Sequence, residues 1–322
     1  MSYLITGAAG FIGSYLCKTL CASNNEIIGI DNFNDYYNIN LKRARLVPLE
    51  EKNNFIFYEV DIRDIDKIEE IAEKHNVTHI IHLAAQPGVR YSKEKPFEYS
   101  KLNVDGHLCI LEVARNLKTL KHLIFASSSS VYGLENPVPF KEDAKLTSPA
   151  SLYSATKIAG ESMGYCYASQ YNIPITALRF FTVYGPFGRP DMAVFSFTRS
   201  ISLGEPIVLY EKGNLKRDFT YIDDIINGII KVIPKIPNTK TVPFDVYNLG
   251  NNKSEYVKDM VRYIEEALGK KALIEFKPMF KGDMFETYAD IKKAKKELGF
   301  EPKTSLKEGI NKFVEWYKDF KY

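Results

Sequence analysis

The chain has 322 residues, which suits one large domain or two unequal ones. Apolar residues make up 45% and charged residues 26%, and a net charge of +3 with dispersed basic residues gives no reason to expect a nucleic-acid partner. No run approaches the roughly 20 apolar residues of a membrane span. The N-terminus has no basic stretch followed by an apolar one, and Cys17, Cys21, Cys109 and Cys166 form no CxxC pair, so a cytoplasmic protein with free thiols is expected.

Strand and helix patterns alternate through the first half. Tyr3 to Thr6 reads as a strand, Phe11 to Cys21 as a helix, and Glu26–Asp31 and Phe55–Val60 as strands. Asp64 to His75 is an amphipathic helix with Asp64 as its N-cap, and Val77–Leu83 and Leu123–Ala126 are further strands. Continuous apolar strands between helices predict an α/β fold, a Rossmann-type doubly wound parallel sheet. The second half is less regular. A Gly/Pro-rich loop spans Gly185 to Met192, and helices are expected near 255–268, from Ile291, and over 306–320. The expected division is a dinucleotide-binding domain over 1–182, with 219–250 returning to it, and a smaller α/β substrate domain over 183–322.

Gly7-Ala-Ala-Gly10-Phe11-Ile12-Gly13 follows the first strand and opens the first helix. Glycines there permit a tight turn and close approach to a pyrophosphate, which meets the positive end of the helix. Asp31 closes the second strand, with Asn32 beside it. A carboxylate at that place binds ribose hydroxyls and repels a 2′-phosphate, which favours NAD over NADP.

Tyr153 and Lys157 lie four apart near the start of a predicted helix, on one face. An ammonium beside a phenol favours the phenolate, so Tyr153 is a candidate general base. A lone YxxxK is weak. Its setting strengthens it: the strand before it ends in Ser127-Ser128-Ser129-Ser130, at the sheet edge where a doubly wound fold binds its ligand. Arg90, in the loop after the fourth strand, is a further candidate for reaching an anionic ligand. Five scattered histidines show no ligand spacing, so no metal is expected.

These motifs occur in a characteristic order, with His82-Leu83-Ala84-Ala85, Asn103, Arg179-Phe180-Phe181-Thr182 and Lys216-Arg217-Asp218 between and after them. The chain resembles the extended short-chain dehydrogenase/reductases in their NAD-dependent nucleotide-sugar epimerase branch, over nearly its whole length. Within that branch it is most similar to the UDP-glucuronate 4-epimerases, particularly at 29–37, 86–92, 180–185 and 188–192. The resemblance implies a hydroxyl at Ser128 assisting Tyr153, and Asp61 and Ile62 at the adenine. It also implies Leu83, Ala84, Ala85, Asn103 and Phe180 beside the cofactor, Phe181 beside the sugar, and Arg189 and Arg217 near the nucleotide part of a UDP-sugar. It further implies a homodimer built on the helices near 95–117 and 153–170.

Related 4,6-dehydratases carry Asp-Glu where Ser129 and Ser130 stand. Related decarboxylases carry Glu in place of Ser130 and Asn in place of Thr182. The hydroxyls of Ser129, Ser130 and Thr182 are instead suited to a sugar carboxylate, and they favour 4-epimerisation of UDP-glucuronate through a 4-keto intermediate. Epimerisation of UDP-glucose or a UDP-N-acetylhexosamine is the alternative, with decarboxylation behind it. A non-catalytic dinucleotide sensor is disfavoured by the presence of both Tyr153 and Lys157.

Overall fold

The computed structural model describes residues 1–279 and 284–320. The chain folds into two compact units that interleave along the sequence: Met1–Val131, Ser151–Arg179 and Ile229–Tyr247 form the first, and Tyr132–Ala150, Phe180–Gly228 and Asn248–Tyr322 the second.

In chain order the elements begin with β1 (Ser2–Thr6), α1 (Phe11–Cys21), β2 (Glu26–Asp31), α2 (Ile39–Glu50), β3 (Phe55–Glu59), α3 (Ile65–Lys74) and β4 (His79–His82). Next come α4 (Tyr91–Glu94), α5 (Pro96–Ser100), a π-helical turn over Lys101–Asp105, α6 (Gly106–Asn116), β5 (His122–Ser128), α7 (Leu152–Tyr171), β6 (Ile175–Phe180) and β7 (Thr182–Tyr184). The remainder comprises α8 (Ala193–Leu203), β8 (Pro206–Tyr210), β9 (Lys216–Arg217), β10 (Phe219–Tyr221), α9 (Ile222–Val232), β11 (Phe244–Leu249), β12 (Glu255–Tyr256), α10 (Val257–Leu268), β13 (Leu273–Lys277), α11 (Lys292–Leu298) and α12 (Leu306–Asp319).

The first unit is built on a seven-stranded sheet in the order β11-β6-β5-β4-β1-β2-β3. The pairings β1–β2, β1–β4, β2–β3 and β4–β5 are all parallel. Leu4, Ile28, Ile80 and Leu123 from the strands pack with Ile68, Ile71 and Ile110 from the helices, all essentially without exposure. Each such side chain contributes about 2 kcal/mol of burial free energy. This is the doubly wound sheet expected from the alternating pattern. Asp64 caps α3 as expected, its side chain accepting the Lys67 N–H, and α7 is capped by Ser151 on the Ser154 N–H.

The second unit carries three two-stranded sheets, β7 with β10, β9 with β12 and β8 with β13. Phe195 of α8 packs edge-on against Phe313 of α12 at 5.7 Å. The units interleave more finely than a boundary at 182. Residues 132–150 lie in the second unit because Tyr132 Oη donates to Asn248 Oδ1 at 2.6 Å and the Phe140 N–H donates to the Tyr288 carbonyl at 2.7 Å. Of the expected 219–250 return, only 229–247 lies in the first unit.

Candidate active site

The glycine loop has the geometry of a phosphate cradle. Gly7 adopts φ +72°, and a Cβ there would stand 2.8 Å from the Ala84 nitrogen. At Gly13 a Cβ would meet the Gly7 carbonyl oxygen at 2.1 Å, so only hydrogen fits. The loop is pinned to the sheet by the Gly7 and Ala8 N–H groups, which donate to Ile30 O at 2.8 and 3.1 Å. Helix α1 starts after Gly10, where no side chain caps the helix, so its opening N–H groups have no side-chain acceptor at the cap. Phe11 is buried and Ile12 half-buried in this first turn. A helix N-terminus so prepared is an anion site, and the residues present fit a dinucleotide pyrophosphate.

Asp31 sits at the end of β2, nearly buried, and accepts N–H bonds from Ala9 (3.2 Å) and Phe33 (2.9 Å). Burial pushes its carboxyl up, while Lys42, those two amides and Arg45 pull it back. Lys42 and Arg45 come from α2, which sequence reasoning missed. Arg45 reaches back to donate to the Ala9 carbonyl of the glycine loop at 3.0 Å and to Tyr37 Oη at 2.6 Å. No sequence signal marked them, because Pro48 lies inside α2 and its buried face includes Lys42 and Arg45.

Asp61 takes a two-pronged bond from Arg63 (2.8 and 2.9 Å) and one from Asn32 Nδ2 (3.0 Å). The Arg63 bond is the main reason its carboxyl is held down at about 2. Ile62 is buried, and a Cβ at Gly106 would meet its Cδ1 at 2.6 Å. Leu83 and Ala84 leave β4 with their N–H groups on Thr6, at its carbonyl (3.2 Å) and its hydroxyl (3.1 Å). Ala85 follows, half-buried.

Asn103 lies in the π-helical turn, a wide turn of the kind common at functional sites. Its side chain straddles Gln86, accepting the N–H at 2.7 Å and donating to the carbonyl at 3.0 Å, and it also donates to Thr156 Oγ1 at 3.1 Å. The asparagine thus joins the loop after β4 to α7, between Tyr153 and Lys157.

Lys157 is buried. Its Nζ donates to the Ala126 carbonyl at 2.9 Å and stands 5.9 Å from the centre of the Tyr153 ring. Burial pushes the ammonium down to about 8, against the pull of Glu161 upward. The structure therefore brings the expected cation and phenol ring together, held from below by a strand carbonyl.

The serine run divides in two. Ser127 is buried and donates to Glu161 at 2.5 Å, and Glu161 is in turn held by Arg179 through two bonds of 2.9 and 2.7 Å. Sequence reasoning missed this buried network. It ties β5 one residue before Ser128, α7 one turn after Lys157, and β6 to one another. Ser128 closes β5, and a 3₁₀ turn follows over Ser129–Tyr132. Ser128 Oγ accepts the Ser130 N–H at 3.2 Å and pairs with Ser130 Oγ at 3.0 Å. Ser154 Oγ donates to the Ser130 carbonyl. Arg90 is exposed at the start of α4.

The other candidates belong to the second unit. The Phe181 N–H donates to Leu249 O and the Thr182 N–H to Asp218 O, at 3.2 and 3.0 Å. Phe180 and Phe181 are buried and Thr182 half-buried. Arg189 pairs with Asp191 at 2.5 Å, and Arg217 Nη1 donates to the carbonyls of Lys216 (2.8 Å) and Phe285 (3.3 Å). Asp218 is fully buried and accepts N–H bonds from Asn251 and Ala289. Burial raises its carboxyl to about 6 against those bonds. Asp224 lies in the first turn of α9 and accepts the N–H groups of Lys303 and Thr304, both at 3.0 Å. Among the described residues, no three His, Cys, Asp or Glu side chains gather closely enough to hold a metal, and no helix is long and apolar enough to cross a membrane.

Residues 4–313 match the family model described as GDP-mannose 4,6 dehydratase. The chain belongs to this family of extended short-chain dehydrogenase/reductases. A UDP-glucuronate 4-epimerase of Arabidopsis thaliana is 43% identical over 332 residues, covering 99% of this chain and 76% of the relative. The crystal structure of UDP-glucuronic acid 4-epimerase from Bacillus cereus, in complex with UDP-glucuronic acid and NAD, superposes with a TM-score of 0.92 at 35% identity, covering 99% of both chains. A UDP-glucose 4-epimerase of Thermotoga maritima gives a TM-score of 0.88 at 31% identity, again over 99% of both chains.

Proposed function

We propose that the protein is an NAD-dependent UDP-glucuronate 4-epimerase, interconverting UDP-glucuronate and UDP-galacturonate. The observation that carries this reading is the acid-free serine turn beside Tyr153 and Lys157, in a chain 43% identical to a UDP-glucuronate 4-epimerase. NAD, when bound, would supply the hydride acceptor and donor for oxidation and re-reduction at the sugar C4. Gly7, Gly10, Phe11, Ile12 and Gly13 hold its pyrophosphate, Asp31 and Asn32 its ribose, and Asp61 and Ile62 its adenine. Leu83, Ala84, Ala85, Asn103 and Phe180 complete its surroundings.

Tyr153 withdraws the C4 hydroxyl proton, with Lys157 favouring its phenolate and Ser128 donating to the reacting oxygen. The sugar becomes a 4-keto intermediate, turns while its nucleotide stays anchored, and receives the proton back from Tyr153 after reduction. The intermediate is a β-keto acid. It loses CO₂ only if the bond to the carboxyl carbon aligns with the ketone π system. Hydroxyl donors at Ser129 and Ser130, with Thr182 assigned the same task on sequence alone, hold the carboxylate near the ring plane and oppose that alignment. An acidic side chain at Ser130 would repel the same carboxylate. Arg90, Arg189, Arg217 and Phe181 are assigned to the sugar nucleotide on sequence.

A homodimer fits the exposed apolar side chains of Leu108 on α6 and Tyr165 and Tyr171 on α7. A cytoplasmic location and supply of uronate for polysaccharide synthesis fit a sugar-nucleotide enzyme with free thiols. The specificity is tested by comparing kcat/KM for UDP-glucuronate, UDP-glucose and UDP-N-acetylglucosamine. Preference for the uronate by about tenfold or more is expected, since a carboxylate held by several donors contributes a few kcal/mol. Equal or greater activity on UDP-glucose would overturn it.

A further inference from the structure

Tyr99, at the end of the short helix α5, is fully buried. Its ring meets the Tyr153 ring edge-on, with centroids 6.1 Å apart and planes at 80°. Its hydroxyl lies 2.6 Å from the Pro87 carbonyl and 2.5 Å from the Gly88 carbonyl, donating to this pair. Gly88 is in the left-handed region at φ +101°, and a Cβ there would stand 2.7 Å from Tyr36 Oη and 3.3 Å from Tyr99 Oη. Four residues on, Asn103 holds Gln86 through both its backbone groups. One face of α5 and the π-helical turn therefore fixes three successive residues of the loop leading to Arg90, while the same tyrosine braces the ring of Tyr153.

We propose that Tyr99 is a positioning residue with two separable tasks: its ring edge sets the orientation of the Tyr153 ring, and its hydroxyl fixes the Pro87 and Gly88 carbonyls of the loop that presents Arg90 to the sugar nucleotide. An edge-to-face pair has a preferred geometry that an aliphatic side chain does not reproduce. A phenol turned away from Lys157 has a higher pKa and is less often ionised near neutral pH, because the ammonium's help falls with distance. At Pro87 and Gly88, in contrast, the hydroxyl matters, since the hydrogen bond and not the ring contact restrains the two carbonyls, while Asn103 holds Gln86.

The inference rests on Tyr153 acting as the base, so the experiment carries Tyr153→Phe as a parallel arm. Steady-state kinetics with UDP-glucuronate are measured across pH for Tyr99→Phe and Tyr99→Leu, with bound NAD quantified in each. In Tyr99→Phe the KM rises about fivefold, the effect of one lost hydrogen bond, with kcat within about twofold and the acid limb of its pH profile in place. In Tyr99→Leu, with NAD still bound, kcat falls about tenfold or more, the usual scale for a displaced catalytic group, and that limb moves to higher pH. A Tyr99→Leu enzyme that binds NAD and keeps both kcat and its pH limb overturns the ring's task. An unchanged KM in Tyr99→Phe overturns the hydroxyl's task, and it decides the matter even if the leucine variant does not fold. Should Tyr153→Phe itself turn over normally, the assignment of the base falls instead.

Discussion

Lys157 illustrates how the site is held at the expense of stability. Its ammonium is buried against the interior strand β5 and pushed down from 10.5 to about 8, chiefly by burial. In the folded state the charged form is thus disfavoured by a factor worth about 3 kcal/mol, at about 1.4 kcal/mol per unit. The sign follows from linkage. Below the folded value both states carry the proton and the folded state bears the whole penalty. As pH rises past about 8 toward 10.5, the folded state releases its proton first, and the penalty fades. Replacing Lys157 with methionine removes the penalty at every pH and sacrifices the 2.9 Å bond to the Ala126 carbonyl, a loss of about 1 kcal/mol. The variant, stripped of cofactor, is therefore expected to be inactive yet about 2 kcal/mol more stable than the parent near neutral pH. Its advantage shrinks by about 2 kcal/mol on going from about pH 7 to about pH 9.5. Urea unfolding of both proteins at several pH values, followed by circular dichroism, measures this. A stability difference that does not change with pH would refute the reasoning, as would a variant less stable than the parent throughout.

Tyr153→Phe is expected to lose turnover by about a hundredfold or more, as for removal of a general base, while retaining NAD, read from the absorbance of the denatured enzyme's supernatant. Gly13→Ala places a Cβ 2.1 Å from the Gly7 carbonyl oxygen, so the protein should be recovered without NAD or fail to accumulate; full NAD content would contradict the cradle's geometry. Arg179→Met strands the buried Glu161 carboxylate and should destabilise the fold by about 3–5 kcal/mol, whereas a loss under about 1 kcal/mol in thermal or urea unfolding would show that the network contributes little.

Much of the first unit was legible because its physics is local. The apolar runs Tyr3–Ile5, Ile27–Ile30 and Ile80–Ile81 marked β1, β2 and β4, and Asp64 stood where a cap belongs. Helix α2 was not legible: Pro48 lies inside it and its buried face includes Lys42 and Arg45, so no apolar stripe marks it. The return of 132–150 to the second unit depends on contacts made more than a hundred residues away, such as Tyr132 with Asn248. The proximity of Tyr153 and Lys157 was legible from spacing and setting. The supports beneath this pair were hidden because each needs a partner distant in sequence. Ser127 looked like its three neighbours until Glu161 claimed it, and Tyr99 looked like one more apolar helix residue until its ring met Tyr153. Asp224 was hidden in the same way, since its partners, the Lys303 and Thr304 N–H groups, lie about eighty residues on.

The central claim is that this chain moves a hydride out of and back into a uronic acid without losing the carboxylate. The direct measurement is proton and carbon NMR of UDP-glucuronate incubated with the purified protein and no added NAD. The account predicts that UDP-galacturonate appears and approaches equilibrium with the substrate, with bound NAD sufficient and negligible CO₂ release. A UDP-pentose or UDP-4-ketopentose as the main product, or unchanged UDP-glucuronate with NAD verified in the site, would contradict it.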